Sequence, residues 1–237
     1  MAPGTLSDVS DEVQPYRERA ARMPGAVLWT RTADGGEYRI LPDGCIDLLW
    51  IEGTLVVAGP DTRAYLGIAE AGTRYTAIRF APGTAPGFLG VPAKEILDRR
   101  VPLSDLWSPG RNERLADRIG RSPDPATTLE DAVADLFDEP DHFVNHVLRG
   151  VRRGVAVPAL AGDVGLSERQ LHRRCLDAFG YGPKMLDRVL RMNRALDRAR
   201  TGLSLAEVAA RTGYADQAHF TREVKALTGV PPRTLLA

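Results

Sequence analysis

Cysteine is scarce in this chain of 237 residues, which has only Cys45 and Cys175, far apart in sequence. A disulfide-built secreted fold is therefore not expected, and a reducing cytoplasmic setting fits better. No run of eighteen apolar residues occurs, which excludes a membrane-spanning helix as an expectation. The opening MAPGTLSDVSDE has neither a basic nor an apolar stretch, so a secretory signal is not expected either. Histidine is scarce too, with four in all. His142 and His146 stand one helical turn apart, yet no HExxH motif and no Cys cluster accompanies them. They read as structural or surface residues, and neither a metal nor a cofactor is implied.

Net charge is absent as well, but only in the sum. Residues 1–147 hold 15 Lys and Arg against 23 Asp and Glu, and residues 148–237 hold 16 against 8. A basic C-terminal part attracts a polyanion that an acidic N-terminal part would repel. The two parts have different tasks. The length accommodates two modest domains, and a hydrophobic share of 43% is enough to give each a core.

What the sequence does contain is a repeat. Ala161-x-x-x-Gly165-Leu166-Ser167-x-x-x-Leu171, followed by Phe179-Gly180, returns as Ala209-x-x-x-Gly213-Tyr214-Ala215-Asp216-x-x-x-Phe220, followed by Thr228-Gly229. Each copy reads as a short helix, a Gly-containing turn and a second helix, the pattern of a duplex-DNA reader. The first helices fall near 158–163 and 205–211, with Leu160, Ala161, Val164, Leu205, Val208 and Ala209 inward. Small Ala161 and Ala209 let the next helix cross closely, and the glycines supply the permissive turn. Ser167, with Gln170 three residues on, and Asp216 are the expected N-caps of the second helices, near 168–178 and 217–227. Leu171, Leu176, Phe220, Val224 and Leu227 should be buried.

The remaining positions of the second helices carry residue types that read bases. Arg bridges guanine O6 and N7, Gln pairs with adenine, and Thr offers a hydroxyl or a methyl. Near the helix starts, Arg169, Gln170, His172 and Arg173 in one copy, and Gln217, Ala218, Thr221 and Arg222 in the other, are the base-facing candidates. Ser167, Arg174, His219 and Lys225 fall to phosphates. Pro183 opens a long amphipathic helix to about Arg200, a strut that lets one chain address two successive groove faces. On it Arg188, Arg191, Arg194 and Arg198 serve either phosphate contact or plain solvation.

Residues from about 148 to 237 resemble the double helix-turn-helix domain of the AraC/XylS transcription regulators. The resemblance rests on Leu205-Ala-Glu-Val-Ala-Ala-Arg-Thr-Gly-Tyr-Ala-Asp-Gln-Ala-His-Phe220, on Thr221-Arg222, on Gly229-Val-Pro-Pro232 and on Arg191-Met-x-x-Ala195. It implies an all-α domain that binds double-stranded promoter DNA and contacts RNA polymerase when activating. Two positions depart from the family pattern: Glu223-Val224-Lys225, where Phe usually precedes Lys, and Cys175, where the first copy usually has Phe. Both reduce apolar volume at the base of a recognition helix.

The N-terminal part, about 12–108, shows short extended stretches at 26–31, 37–41, 46–51, 54–58, 64–68 and 74–80, separated by Gly-marked turns such as Glu52-Gly53. Leu41-Pro-Asp-Gly-Cys-Ile-Asp-Leu-Leu-Trp50 and Tyr75-Thr-Ala-Ile-Arg-Phe-Ala-Pro-Gly83 resemble a cupin-like domain found ahead of some regulators of this family. That resemblance implies a sensing or assembly role. The expected fold is therefore α+β: an antiparallel cupin-like β-barrel, a helical linker at 109–147 interrupted at Asp138-Glu-Pro-Asp141, and the all-α domain with two helix-turn-helix motifs joined by a long helix. A barrel of this kind encloses a small molecule. Trp29, Trp50 and Phe80 are the candidate lining, with Asp47 or Arg79 fixing a polar group; ordinary core packing is the alternative for each.

The function expected from these features is effector-responsive transcription control, activation before repression, with a homodimer as a further possibility. Two alternatives stay open. One is an architectural DNA binder without an effector. The other is a DNA-targeted enzyme using Cys45, which lacks an adjacent base.

Overall fold

The computed structural model describes residues 16–137 and 141–236. The start of the expected sensing domain at 12–15 and the expected break at 138–140 lie outside the described residues. The elements are β1 (Arg17–Ala20), β2 (Val27–Thr32), β3 (Gly36–Ile40), β4 (Ile46–Ile51), β5 (Thr54–Ala58), β6 (Tyr65–Ala69), β7 (Arg74–Phe80), α1 (Ala85–Leu89), β8 (Arg100–Pro102), α2 (Pro109–Gly120), α3 (Pro125–Ala134), α4 (His142–Arg152), α5 (Val157–Asp163), α6 (Glu168–Phe179), α7 (Pro183–Arg200), α8 (Leu205–Arg211), α9 (Gln217–Thr228) and α10 (Pro232–Leu236).

Alternation along the strands makes one six-stranded antiparallel sheet, ordered β1-β2-β7-β4-β5-β8, and a separate ribbon of β3 with β6. Glu52 and Gly53, both at positive φ, close the tight β4–β5 hairpin. The sheet does not close, which corrects the cupin-like barrel expected from the sequence. Its apolar face, with Leu28, Ile46, Leu48, Leu55, Val57, Ile78 and Phe80, is covered by helices instead of a second sheet: Leu115 and Ile119 of α2 and Leu129 and Val133 of α3 pack on it. Edge strand β1 is tied to α3 by Arg19, whose guanidinium makes a two-pronged pair with the buried Glu130 at 2.7 and 3.0 Å. Edge strand β8 ends at Pro102, which has no N–H to extend the ladder. Residues 109–134 thus belong to the packing of this sheet.

The helical part has two cores that share one helix. Phe143, Val147, Leu160, Leu171, Phe179, Leu186 and Val189 form the first. Met192, Ala195, Leu196, Val208, Phe220, Val224 and Leu227 form the second. The N-terminal half of α7 therefore belongs to one motif and the C-terminal half to the other. A helix of this length, 18 residues, extends about 27 Å.

Gly59 shows how tightly the loop before β8 is laid over the sheet. Its N–H donates to the Arg99 carbonyl at 2.9 Å, and a Cβ there would stand 1.8 Å from the Ile96 carbonyl oxygen. Backbone cannot retreat as a flexible side chain can. Gly59→Ala is expected to lower stability by roughly 3 kcal/mol, read as a shift of the urea midpoint; a change below about 0.5 kcal/mol would show that the loop yields freely.

Candidate nucleic-acid interface and effector cavity

Each reader is built as its sequence dictates. Gly165 and Gly213 take positive φ in the turns, at 66° and 80°. Ser167 caps α6 in a reciprocal box: its Oγ accepts from the Gln170 N–H at 3.3 Å, while Gln170 Oε1 accepts from the Ser167 N–H at 2.9 Å. Asp216 caps α9 by accepting from the His219 N–H at 2.6 Å. Each cap contributes about 1 kcal/mol. Both N-terminal turns point clear of the protein, with Arg169, Gln170, His172 and Arg173 exposed on α6 and Gln217, Ala218 and Arg222 exposed on α9.

Between the readers lies a groove of about 540 Å³, lined by Lys184, Asp187, Arg188, Arg191 and Arg194 of α7 and by Gly213 of the second turn, with Asp187 standing 3.7 Å from Arg191. Arg191 lies over the Tyr214 ring at 4.9 Å. Arg188 makes a two-pronged pair with Glu223 of α9, at 2.9 and 3.3 Å. Val224, the position where Phe is usual before Lys, is buried in the second core, and the adjacent Glu223 fastens α9 to the strut. Cys175 is buried in the first core.

The opposite ends of both recognition helices rest on the sheet domain. At the end of α6, Gly180 has positive φ, and a Cβ there would stand 2.7 Å from Pro60 and 3.3 Å from Leu97; Lys94 pairs with Asp177 at 2.7 Å. At the end of α9, the Ala64 N–H donates to the Leu227 carbonyl at 2.7 Å and Arg39 donates to the Thr228 carbonyl. From α7, Asn193 donates to the Pro42 carbonyl at 2.7 Å.

The face of the main sheet turned away from the helices meets the β3–β6 ribbon around a cavity of about 170 Å³. Trp29, Arg31, Asp47, Leu49, Tyr75 and Arg79 line it from the sheet, and Tyr38 and Ile40 from the ribbon. Trp29 Nε1 donates to Asp47 Oδ1 at 2.6 Å, and Arg79 Nε stands 3.3 Å from the same carboxylate. Burial outweighs the attraction of Arg79 and pushes the Asp47 carboxyl up to about 6. Arg100 makes a two-pronged pair with Asp61 at 2.7 and 2.8 Å and stacks on Tyr65 at 4.1 Å. Burial, with Asp43 and Asp47 alongside, holds the Cys45 thiol well above its usual value. Burial of this kind disfavours the thiolate that nucleophilic chemistry needs. Among the described residues no group of three or more His, Cys, Asp or Glu is placed to hold a metal ion, and no helix is long and apolar enough to cross a membrane.

The family model described as a helix-turn-helix domain matches residues 160–237. A second model, described as a domain of unknown function (DUF6597), matches residues 26–102. Among solved structures, the chain is similar to an apo lysine-to-alanine variant of ToxT from Vibrio cholerae, with 11% identity, a TM-score of 0.46, and coverage of 92% of this chain and 98% of that one. It is also similar to wild-type ToxT from Vibrio cholerae with an unsaturated fatty acid bound, with 12% identity, a TM-score of 0.44, and coverage of 92% and 96%. Likenesses this distant carry no functional assignment. No sequence relative among the curated proteins matches the chain.

Several of the residues singled out from the sequence are held by neighbours. Gln170 commits its carbonyl oxygen to the Ser167 box. His172 lies against Gly182, where a Cβ would stand 2.3 Å from its Nδ1. Arg174 pairs with Asp141 at 2.9 Å and stacks on Phe143 at 3.9 Å. His219 is half-buried, with Nδ1 accepting from the Ala215 N–H at 3.2 Å. Thr221 is half-buried, Lys225 is exposed, and Leu176 is only half-buried. Trp29, Asp47 and Arg79 reach the cavity. Trp50 and Phe80 lie on the other face of the sheet, in or against the helix-covered core, where Phe80 stacks on Phe88 at 5.4 Å. Sequence reasoning missed Arg31, Tyr38, Arg39 and the Arg100–Asp61 pair. Strand alternation gives the faces of one strand but not which strands will face each other.

The raised Asp47 value has a definite pH consequence. Its folded value of about 6 lies above the ordinary 3.8, so the native state holds the proton more tightly than the unfolded chain does. The contribution of Asp47 to stability therefore falls as pH rises from about 4 and is fully lost above about 6. The Trp29 indole N–H resonance is expected to titrate with a midpoint near 6 and to stop titrating in Asp47→Asn. A wild-type resonance that is flat between pH 5 and 7 would overturn this assignment.

Proposed function

We propose that this protein is a sequence-specific, effector-responsive transcription regulator that acts chiefly as an activator. On this reading residues 148–237 occupy promoter DNA and residues 12–108 sense or assemble, with 109–147 connecting them. One observation carries it: a single chain presents two recognition helices, each with its N-terminal turn exposed, on one strut whose groove is lined by four cationic side chains against one acid, Asp187. Exposed Arg and Gln at those turns meet base edges in the major groove. Lys184, Arg191 and Arg194 in the groove suit the phosphates that cross between the two subsites. RNA polymerase and a second copy of the chain are the macromolecular partners of this reading besides DNA. Its sensing arm rests on the cavity, which combines aromatic walls with charged groups, and on the attachment of both recognition helices to the cavity-bearing domain.

The test is selection from a genomic fragment library at about 150 mM salt with non-specific competitor. A compact motif spanning two adjacent major-groove faces is expected. On that motif, Arg173→Ala or Arg222→Ala should cost about 1–3 kcal/mol and relax selectivity at one position. Lys225→Ala should instead weaken all sequences alike and lower the salt slope by about 1. Uniform, sequence-indifferent retention would favour an architectural binder and sink the regulator reading.

A further inference from the structure

Strand alternation gives the β3–β6 ribbon two unlike faces. The inner one is occupied: Tyr38 and Ile40 line the cavity, Tyr65 lies under Arg100, and a Cβ on Gly67 would stand 2.4 Å from the Tyr38 ring. The outer one carries Glu37, Arg39, Leu66 and Ile68, all four exposed. Leu66 and Ile68, at 62% and 79% exposure, are the two most exposed large apolar side chains among the described residues. Single apolar residues in water are ordinary. These two are neighbours on one face, and the strand beside them brings one charge of each sign. The register sets Glu37 opposite Ile68 and Arg39 opposite Leu66. Neither charge has an ion-pair partner among the described residues, and Arg39 donates to the main-chain carbonyl of Thr228.

A face of this pattern is complementary to itself. A two-fold axis lying across the strands, between the Glu37–Ile68 row and the Arg39–Leu66 row, turns a second ribbon end for end and keeps β6 over β6. Leu66 then meets Ile68 of the second copy and Glu37 meets Arg39 of the second copy, each contact occurring twice. An axis along the strands would instead set Leu66 over Arg39 and Ile68 over Glu37, hydrocarbon against charge. The four residues therefore select one axis. Charges placed in this way fix register and choice of partner more than they add affinity. A partner surface of a single charge sign would gain one contact and lose the other.

The position of the face suits a second copy as well. The ribbon packs on the C-terminal end of α9, through Arg39 and Ala64, so its outer face lies away from the base-facing turn of that helix. Two strands of five residues each present only about 17 by 10 Å, well below the ~800 Å² per partner of a stable complex. The contact is therefore a reversible one.

We propose that Glu37, Arg39, Leu66 and Ile68 on the outer face of the β3–β6 ribbon are the surface through which two copies of this chain associate, weakly and about a two-fold axis lying across the strands. Its use rests on the regulator reading, on which copies at neighbouring DNA sites meet through this face and bind cooperatively. The contact itself is tested without DNA, so the two readings can fail separately.

The experiment is sedimentation velocity of the full chain from about 5 μM to about 500 μM, the range in which so small a contact should form. A concentration-dependent monomer–dimer equilibrium is expected. Glu37→Arg and Arg39→Glu should each weaken it at least tenfold, because each sets like charges together twice. An equimolar mixture of those two variants should regain most of the wild-type association, since both pairs are then opposite in sign. Ile68→Ser, at a fully solvated position, should weaken association to a similar degree and keeps the test open if Arg39→Glu, which also loses the Thr228 contact, does not fold. A chain that stays monomeric throughout the range overturns the proposal and leaves the face to a different partner. A dimer indifferent to Ile68→Ser and Glu37→Arg overturns the surface. Weakening by each charge variant without recovery in the mixture overturns the two-fold arrangement.

Discussion

Both recognition helices end on the sheet domain, and much else in the molecule depends on that contact. A helix leaves its last carbonyls without partners, and here the partners come from a different domain: Ala64 and Arg39 for α9. The end of α6 is seated by close packing at Gly180 and by the Lys94–Asp177 pair. Because the C-terminal ends are gripped, the N-terminal turns are left facing outward, which is where a helix-turn-helix needs its base-reading side chains. The sheet domain and the two helix-turn-helix units therefore share a boundary made of helix termini.

The main sheet separates two kinds of interior. On one face, helices bury a dry apolar core in which Phe80, Phe88 and Phe137 stack. On the other, the ribbon leaves space, and that space holds charge: Asp47, Asp61, Arg79 and Arg100. Pairing offsets much of the cost of desolvating these groups but does not make them an asset to stability. The raised Asp47 carboxyl is the visible sign of a net penalty. Buried groups retained at such a cost are a pointer to binding.

Much of this architecture was legible in the sequence because its signals are local. The strands at 46–51, 54–58 and 74–80 and the helices of both readers follow from alternation, caps and Gly turns within a few residues of each other. β1 escaped notice because Arg17–Ala20 is exposed throughout and carries no alternation, and β8 because it is three residues ending in proline. The barrel was the larger misreading. Strand count and spacing do not distinguish a sheet that closes on itself from one covered by helices, and the covering residues Leu115, Ile119, Leu129 and Val133 come from a segment that reads as linker. The cavity was half legible: Trp29, Asp47 and Arg79 were named from the right strands. Arg39, on the outer face of the ribbon, gains its meaning only from Thr228, 189 residues away.

The Arg188–Glu223 pair and the undivided α7 make the two readers a single ruler. DNA, by contrast, couples distance to rotation, with about 10 base pairs to each turn of roughly 34 Å. One base pair inserted between the two subsites moves them apart by only ~3.4 Å but swings one around the axis by roughly 36° relative to the other. A ruler that neither stretches nor twists loses one of its two contacts at once. On the regulator reading, DNA targets should therefore be strict in the spacing between their halves even where they are tolerant of the bases within it.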